Sequence, residues 1–189
     1  MRAQTQPPTV KHDSIWLDTV KQGDIVLRVR GRGVITSNQT AELRVAETQV
    51  RDITAGQAVT IAFQRRPETM TGTVTQVRPG VTNGTVGVDV QVPGTLPAGI
   101  AARTQVDGAI TIGSITNVVY VGRPVFGRAN SEVTIFKIEP DGQTAVRVPV
   151  QLGQTSINTI QIKSGLQPGD KIILSDMSAY DGYDRIVLR

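Results

Sequence analysis

The sequence predicts an all-β chain built of two small barrel-like modules with one short helix. Three observations point to this class. A turn, a glycine and a short apolar strand recur along the chain, most clearly where Gly165-Leu166-Gln167-Pro168-Gly169-Asp170 leads into Lys171-Ile172-Ile173-Leu174. Looser copies stand at residues 21–24, 54–57 and 96–99. Proline presets φ at the second turn position and glycine supplies the positive φ that a type II turn then needs. Apolar residues alternate with polar ones in many short runs, the strand period of two. Third, 19 glycines and 10 prolines are scattered without a period, which fits many turns rather than collagen or disorder.

The elements follow in order. Residues 1–13, with Pro7-Pro8 and no periodicity, read as a flexible lead-in. Ile25, Leu27 and Val29 share one strand face, with Arg28, Arg30 and Arg32 on the other. Leu43 and Val45 alternate with Glu42 and Arg44, and residues 47–53 are the helical candidate, stopped before Gly56. Val59, Ile61 and Phe63 mark the next strand. Asn83-Gly84 signals a hairpin joining residues 70–81 to the Val86, Val88, Val90 and Val92 alternation. A strand over 101–112 closes the first module. The second takes strands at 118–121, 133–138, 144–150, 157–163, 171–174 and 185–188, with a hairpin at Asp141-Gly142. Pro149 points to an edge position.

Composition sets bounds. At 189 residues the chain holds one large β domain or two small ones. Aromatic residues make up only 4%, so the cores must be aliphatic. The absence of cysteine excludes disulfides, a thiolate zinc site and a cysteine nucleophile. No apolar run is long enough to span a membrane as a helix. Arg2 is followed by no apolar segment, so no signal peptide is read; an exported or anchored protein would have had that segment left off. The formal charge of +4, from 20 basic and 16 acidic residues, is small and spread out.

Few groupings bear chemistry. His12 falls in the lead-in and lacks the rigid shell that a metal ligand or triad member needs. Gly31-Arg32-Gly33 resembles the start of a dinucleotide fingerprint but lacks the third glycine and the helix, so a bulge or close backbone approach is the favoured reading. Asp170, Asp176, Asp181 and Asp184 read as turn residues rather than a calcium loop. No cofactor, metal or catalytic residue is assigned. Arg28, Arg30, Arg32 and the pair Arg65-Arg66 are the basic groupings. They read as a solvated face guarding an edge strand or as a surface that docks a protein partner or lipid headgroups.

Three stretches resemble the membrane fusion protein family, or periplasmic adaptor subunits, of the HlyD type and nearest to MacA-like efflux adaptors. The first is Trp16-Leu17-Asp18-Thr19-Val20-Lys21-Gln22-Gly23-Asp24-Ile25 running on to Gly31-Arg32-Gly33-Val34. The second is Ala41-Glu42-Leu43-Arg44-Val45-Ala46-Glu47 with Gly56-Gln57-Ala58-Val59. The third and most specific runs from Val150-Gln151-Leu152-Gly153 to Gly165-Leu166-Gln167-Pro168-Gly169-Asp170 and the following strand. The sequence departs from the family pattern at Val121-Gly122-Arg123-Pro124. It departs more at the join of Ile35-Thr36 to Ala41-Glu42, where the family inserts a lipoyl-like domain and an α-helical hairpin. The short join is either an engineered excision or a natural minimal variant.

The resemblance implies a β-barrel at 37–112 and a discontinuous membrane-proximal domain from 14–36 and 113–189. It also implies a non-enzymatic adaptor at the periplasmic face of the inner membrane. The expected partner is an inner-membrane transporter of ABC or RND type, with help in forming an export conduit. An outer-membrane channel would be reached only through the missing parts, and a monomer or weak oligomer is expected. The rival readings are a basic barrel that binds RNA or the ribosome, tested by salt-dependent nucleic-acid binding, and a β-sandwich enzyme or sugar-binding domain, for which no converging acids or aromatics are found.

Overall fold

Alternating segments become strands throughout the computed structural model, which describes residues 6–37 and 39–189. They are β1 (Thr9–Val10), β2 (Leu17–Thr19), β3 (Lys21–Ser37), β4 (Thr40–Ala46), β5 (Ala58–Phe63), β6 (Thr69–Val77), β7 (Thr85–Gln91), β8 (Gln105–Gly122), β9 (Glu132–Ile138), β10 (Thr144–Thr155), β11 (Thr159–Ser164), β12 (Lys171–Ile173) and β13 (Arg185–Leu188). Helical geometry is confined, among the described residues, to 3-10 turns at His12–Ser14, Glu47–Asp52 and Ser178–Tyr180. The protein is all-β. It divides into two units: Val26–Ser114, and the described residues of Met1–Ile25 together with Ile115–Arg189.

The first unit is a closed six-stranded barrel in the order β3, β4, β7, β6, β5, β8 and back to β3. Closure removes open edges, the device by which small β proteins avoid edge-to-edge pairing. Inward positions of every strand meet in one aliphatic core that includes Val29, Ile35, Leu43, Val45, Ile61, Val74, Val88, Val90 and Ile110. The β6–β7 pair is antiparallel, and Asn83 and Gly84 carry the positive φ values of 50° and 70° that a two-residue hairpin turn requires. The Ser37–Thr40 join is a tight reversal between β3 and β4.

The second unit has a core on each face of its sheet. Phe136 and Ile138 of β9, Ala145 of β10 and Ile173 of β12 pack on one side with Ile186 and Leu188. Their neighbours Ile135, Val150, Leu152 and Ile172 turn to the other side and meet Val121, Ile160 and Ile162. Successive strand residues point to opposite faces, so a run such as Ile172-Ile173 is apolar throughout because both faces are covered. The type II turn expected before β12 is present: Gly169 has φ 96°, and the Asp170 amide donates to the Gln167 carbonyl at 3.1 Å.

Several expectations are corrected. The helical segment at 47–53 is a 3-10 turn, its last bond running three residues back from the Ile53 amide to the Val50 carbonyl. Strands expected separately at 101–112 and 118–121 are the single β8. The phrase at residues 21–24 is no turn: these residues lie within β3, and Gly23 has no positive φ. Part of the lead-in is structured, because Thr9 and Val10 pair in parallel with Val187 and Leu188 and Val10 is buried. The readings on residues 1–5 and on Asn38 lie outside the described residues. Pro149 is not on an edge strand, since β10 pairs with β9 on one side and with β13 and then β11 on the other. It sits where the second side changes partner, between Val146 and Gln151, so its missing N–H breaks no ladder.

The Asp141-Gly142 hairpin between β9 and β10 yields a pH prediction. The Asp141 carboxylate accepts the Thr144 hydroxyl at 2.7 Å and the Gln143 and Thr144 amides, both at 2.9 Å. The hydroxyl bond first, then the amide bonds, hold its pKa below the ordinary aspartate value. A lowered folded pKa adds stability that is complete above the ordinary value and lost as pH falls through the lowered one. The Asp141→Ala variant should therefore be less stable than the parent at neutral pH, and the two should converge in strong acid. Urea midpoints measured down a pH series check this; a constant gap would contradict it.

Candidate functional site

The outer wall of the barrel carries the charged residues singled out in the sequence. Arg28, Arg30 and Arg32 alternate along β3 and are exposed. Arg32 pairs with Asp107 of β8 at 3.6 Å. On the other side of β3, Arg44 of β4 stands directly opposite Arg32. Arg44 is compensated by Glu42 at 3.3 Å, and Arg78 then bridges Glu42 at 3.0 Å and Asp89 of β7 at 2.7 Å. Glu42 and Asp89 face each other in register, so Arg78 offsets a repulsion between two carboxylates. The Asp89 bonds, opposed by some desolvation, raise the Arg78 pKa above its ordinary value. The stripe therefore adjoins a network in which Asp107, Glu42 and Asp89 offset Arg32, Arg44 and Arg78. Arg44, Arg78, Asp89 and Asp107 were not picked out in the sequence. Only the Glu42/Arg44 alternation hinted at them, because cross-strand register is not written in any one strand.

Arg65 and Arg66 follow β5. Arg65 occupies the left-handed region at φ 65°. The Arg66 guanidinium donates to the Ala98 carbonyl at 2.9 Å and so ties the loop before Gly99 to the β5 turn.

Gly31 and Gly33 hold no phosphate loop. A Cβ on Gly33 would strike the Glu42 carbonyl oxygen and lie 2.8 Å from the Leu43 Cα. A Cβ on Gly31 would stand 3.0 Å from Val45 and 3.1 Å from Leu43. These glycines let β3 and β4 approach closely, the role favoured for them from the sequence.

In the second unit Asp170, Asp176 and Asp181 are engaged by neighbouring groups, and the Asp184 carbonyl accepts the Arg147 amide at 3.0 Å. Asp170 pairs with Lys137 at 3.0 Å and accepts the Gln167 amide at 2.8 Å. Asp176 accepts the Ser178 amide at 2.9 Å, the principal reason its pKa is lowered. Asp181 holds Arg147, whose guanidinium also reaches the Asp181 carbonyl and lies 6.0 Å from the Phe136 ring centre. Among the described residues no group of three His, Cys, Asp or Glu is arranged to hold a metal ion. His12 is exposed in its short turn, and its backbone amide donates to the Arg189 carbonyl at 2.7 Å. A pocket of about 320 Å³ lies among Phe126, Ile135, Phe136, Arg147, Met177 and Asp181.

Trp16 is the residue that sequence reasoning underused. Its side chain is 72% exposed. Its backbone is nonetheless fixed from both sides, the amide donating to the Ser175 hydroxyl and the carbonyl accepting the Leu174 amide, each at 2.7 Å. An exposed tryptophan on a hydrogen-bonded backbone is a feature of contact surfaces. Val125, 71% exposed, belongs to the same unit.

No family model matches the chain, and no curated protein matches it. Solved structures do. ZneB from Cupriavidus metallidurans aligns over 73% of this chain and 40% of its own, at 16% identity and a TM-score of 0.37. MacA from Actinobacillus actinomycetemcomitans aligns over 74% and 43%, at 18% identity and a TM-score of 0.48. The protein thus spans about two-fifths of either neighbour's length. Both neighbours are membrane fusion/adaptor proteins, the class that the sequence phrases resemble. Among the described residues no helix is long and apolar enough to cross a membrane.

Proposed function

We propose that this protein is a non-enzymatic adaptor of an efflux or secretion system, stationed at the periplasmic face of the inner membrane. Its barrel serves as the adaptor β-barrel, and its discontinuous unit as the membrane-proximal domain. The partner is an inner-membrane transporter of ABC or RND type, and the pair contributes to an export conduit. An outer-membrane channel would be engaged only through lipoyl and hairpin parts beyond this sequence. The observation that carries the reading is the interrupted unit: both ends of the sequence build one β module, a closed barrel is spliced between them, and the family-like phrases fall in that order.

Docking is assigned to Arg28, Arg30 and Arg32, with Arg65 and Arg66 as the second basic grouping. The nucleic-acid reading is disfavoured by the acids set against Arg32, Arg44 and Arg78. A phosphate-binding face keeps its cations unneutralised and binds with a steep salt dependence.

The test is site-specific photo-crosslinking in the periplasm of a bacterium, with the reactive residue at Arg30 and, separately, at Trp16. Capture of a polytopic transporter, identified by mass spectrometry, is expected. Capture of RNA or ribosomal proteins, or of nothing at either position, would overturn the reading.

A further inference from the structure

Asn83-Gly84 is the tip of the β6–β7 connection, and the surrounding geometry leaves it chemically unprotected. Thr82 and Thr85 exchange two backbone hydrogen bonds, at 2.8 and 3.0 Å, and so hold both tip residues at positive φ. Residues 81–84 are exposed. Among the described residues neither the Asn83 carboxamide nor the Gly84 N–H has a hydrogen-bond partner, and nothing lies within 4 Å of the place a Gly84 Cβ would take.

The comparable asparagine sites and two of the Asp-Gly steps are closed, and the third, Asp181-Gly182, has its carboxylate paired with Arg147 at 3.5 Å. Both carboxyl oxygens of Asp141, before Gly142, are occupied by the Gln143 and Thr144 bonds. Asp107, before Gly108, lies within β8 and pairs with Arg32. The side-chain oxygens of Asn117 and Asn130 accept from Gln22 and Lys163, at 2.9 and 3.2 Å. Asn117 and Asn158 also precede the β-branched Val118 and Thr159, whose bulk shields the following amide.

We propose that Asn83 is a site of spontaneous deamidation and isomerisation in the folded protein. The Gly84 backbone nitrogen, having lost its proton to hydroxide, attacks Cγ of Asn83. That N–C bond forms, the bond from Cγ to Nδ2 breaks, ammonia leaves with a proton from solvent, and a five-membered succinimide remains. Water then adds at either ring carbonyl and reopens the ring to aspartate or isoaspartate, with no change in oxidation state. Either product places a carboxylate at the tip. Isoaspartate also routes the backbone through Cβ and Cγ of residue 83, which lengthens the turn by one backbone atom. A two-residue turn with its twist set by two positive φ values cannot absorb that atom. The Gly84 carbonyl would also shift from the Glu47 amide, 3.0 Å away, and loosen the 3-10 turn against the barrel.

The experiment incubates the folded protein at mildly alkaline pH, follows conversion by peptide-mapping mass spectrometry, and labels isoaspartate with an isoaspartyl methyltransferase. Asn83 should convert before Asn117, Asn130 and Asn158, to both products, and faster as pH rises. The barrel's urea midpoint should fall in step. Gly84→Ala should slow conversion about tenfold or more by putting a side chain beside the attacking nitrogen. Asn83→Gln, which leaves Gly84 in place, should abolish the early product because its ring would be six-membered. Conversion at another described asparagine ahead of Asn83, an intact Asn83 when others have reacted, or an unchanged early product in Asn83→Gln would each overturn the proposal.

Discussion

Replacing Gly165 by alanine should destabilise the discontinuous unit by about 3 kcal/mol or more, the sum of two costs. Gly165 sits at φ 99°, where an L side chain is strained by roughly 1–2 kcal/mol. Its Cβ would also strike the Pro149 carbonyl oxygen and stand 3.0 Å from the Val150 Cα. Both neighbours are backbone of β10, the strand between the unit's two cores, so neither can yield without moving the sheet. Overpacking of that kind costs about 1–3 kcal/mol. Urea unfolding of Gly165→Ala, localised by hydrogen exchange at β10 and β11, tests the estimate. A change below about 0.5 kcal/mol, within the range of an ordinary surface substitution, would show that the approach is not tight. Gly169, four residues on, has open space around it despite φ 96°. Its alanine variant should bear the backbone strain alone and lose roughly half as much.

In the barrel the largest effect should come from Leu43, whose side chain is fully buried. Leu43→Ala removes most of it from a core that cannot collapse readily around a closed sheet, at a cost of about 3 kcal/mol within the usual spread of 2–5. Gly108 makes the prediction sharper. A Cβ on Gly108 would run into the Leu43 Cδ1 and come within 3.1 Å of its Cδ2, so Gly108→Ala alone should cost about 2 kcal/mol. With Leu43 truncated the same methyl enters vacated space. The double variant should therefore lose at least about 1 kcal/mol less than the sum of the singles, the coupling expected of residues in contact. Additive losses would mean that Leu43 does not fill the space over Gly108.

Much of the barrel is legible in the sequence, because its information is local. Period-two alternation names the inward residues: Val86, Val88, Val90 and Val92 are all buried. Asn83-Gly84 locates the β6–β7 reversal, and Pro168-Gly169 locates the turn before β12. Gly31 and Gly33 are legible too, since only a residue without a side chain tolerates that approach to β4. Where the sequence misleads, the missing information is non-local. Thr9 and Val10 carry no strand signal and are ordered because β13 offers them a parallel partner. Gly113 and Ser114 do not interrupt β8, because neighbouring strands hold it extended on both sides of them. Pro149 is tolerated in an inner strand because β10 changes partner at that point.

The candidate site divides along the same line. The sequence alone determined which residues of β3 face outward, since a pleated strand must alternate. It also determined an aliphatic, cysteine-free, all-β protein. Only the tertiary structure decided which acids stand against Arg32 and its neighbours Arg44 and Arg78. Asp107, Glu42 and Asp89 reach Arg32, Arg44 and Arg78 from three different strands. Register between strands far apart in sequence is set by turn geometry and shared burial, and no single strand's residues encode it. The same holds for Trp16: its identity is in the sequence, but its fixed exposure comes from Leu174 and Ser175, which folding brings to it from the far end of the sequence.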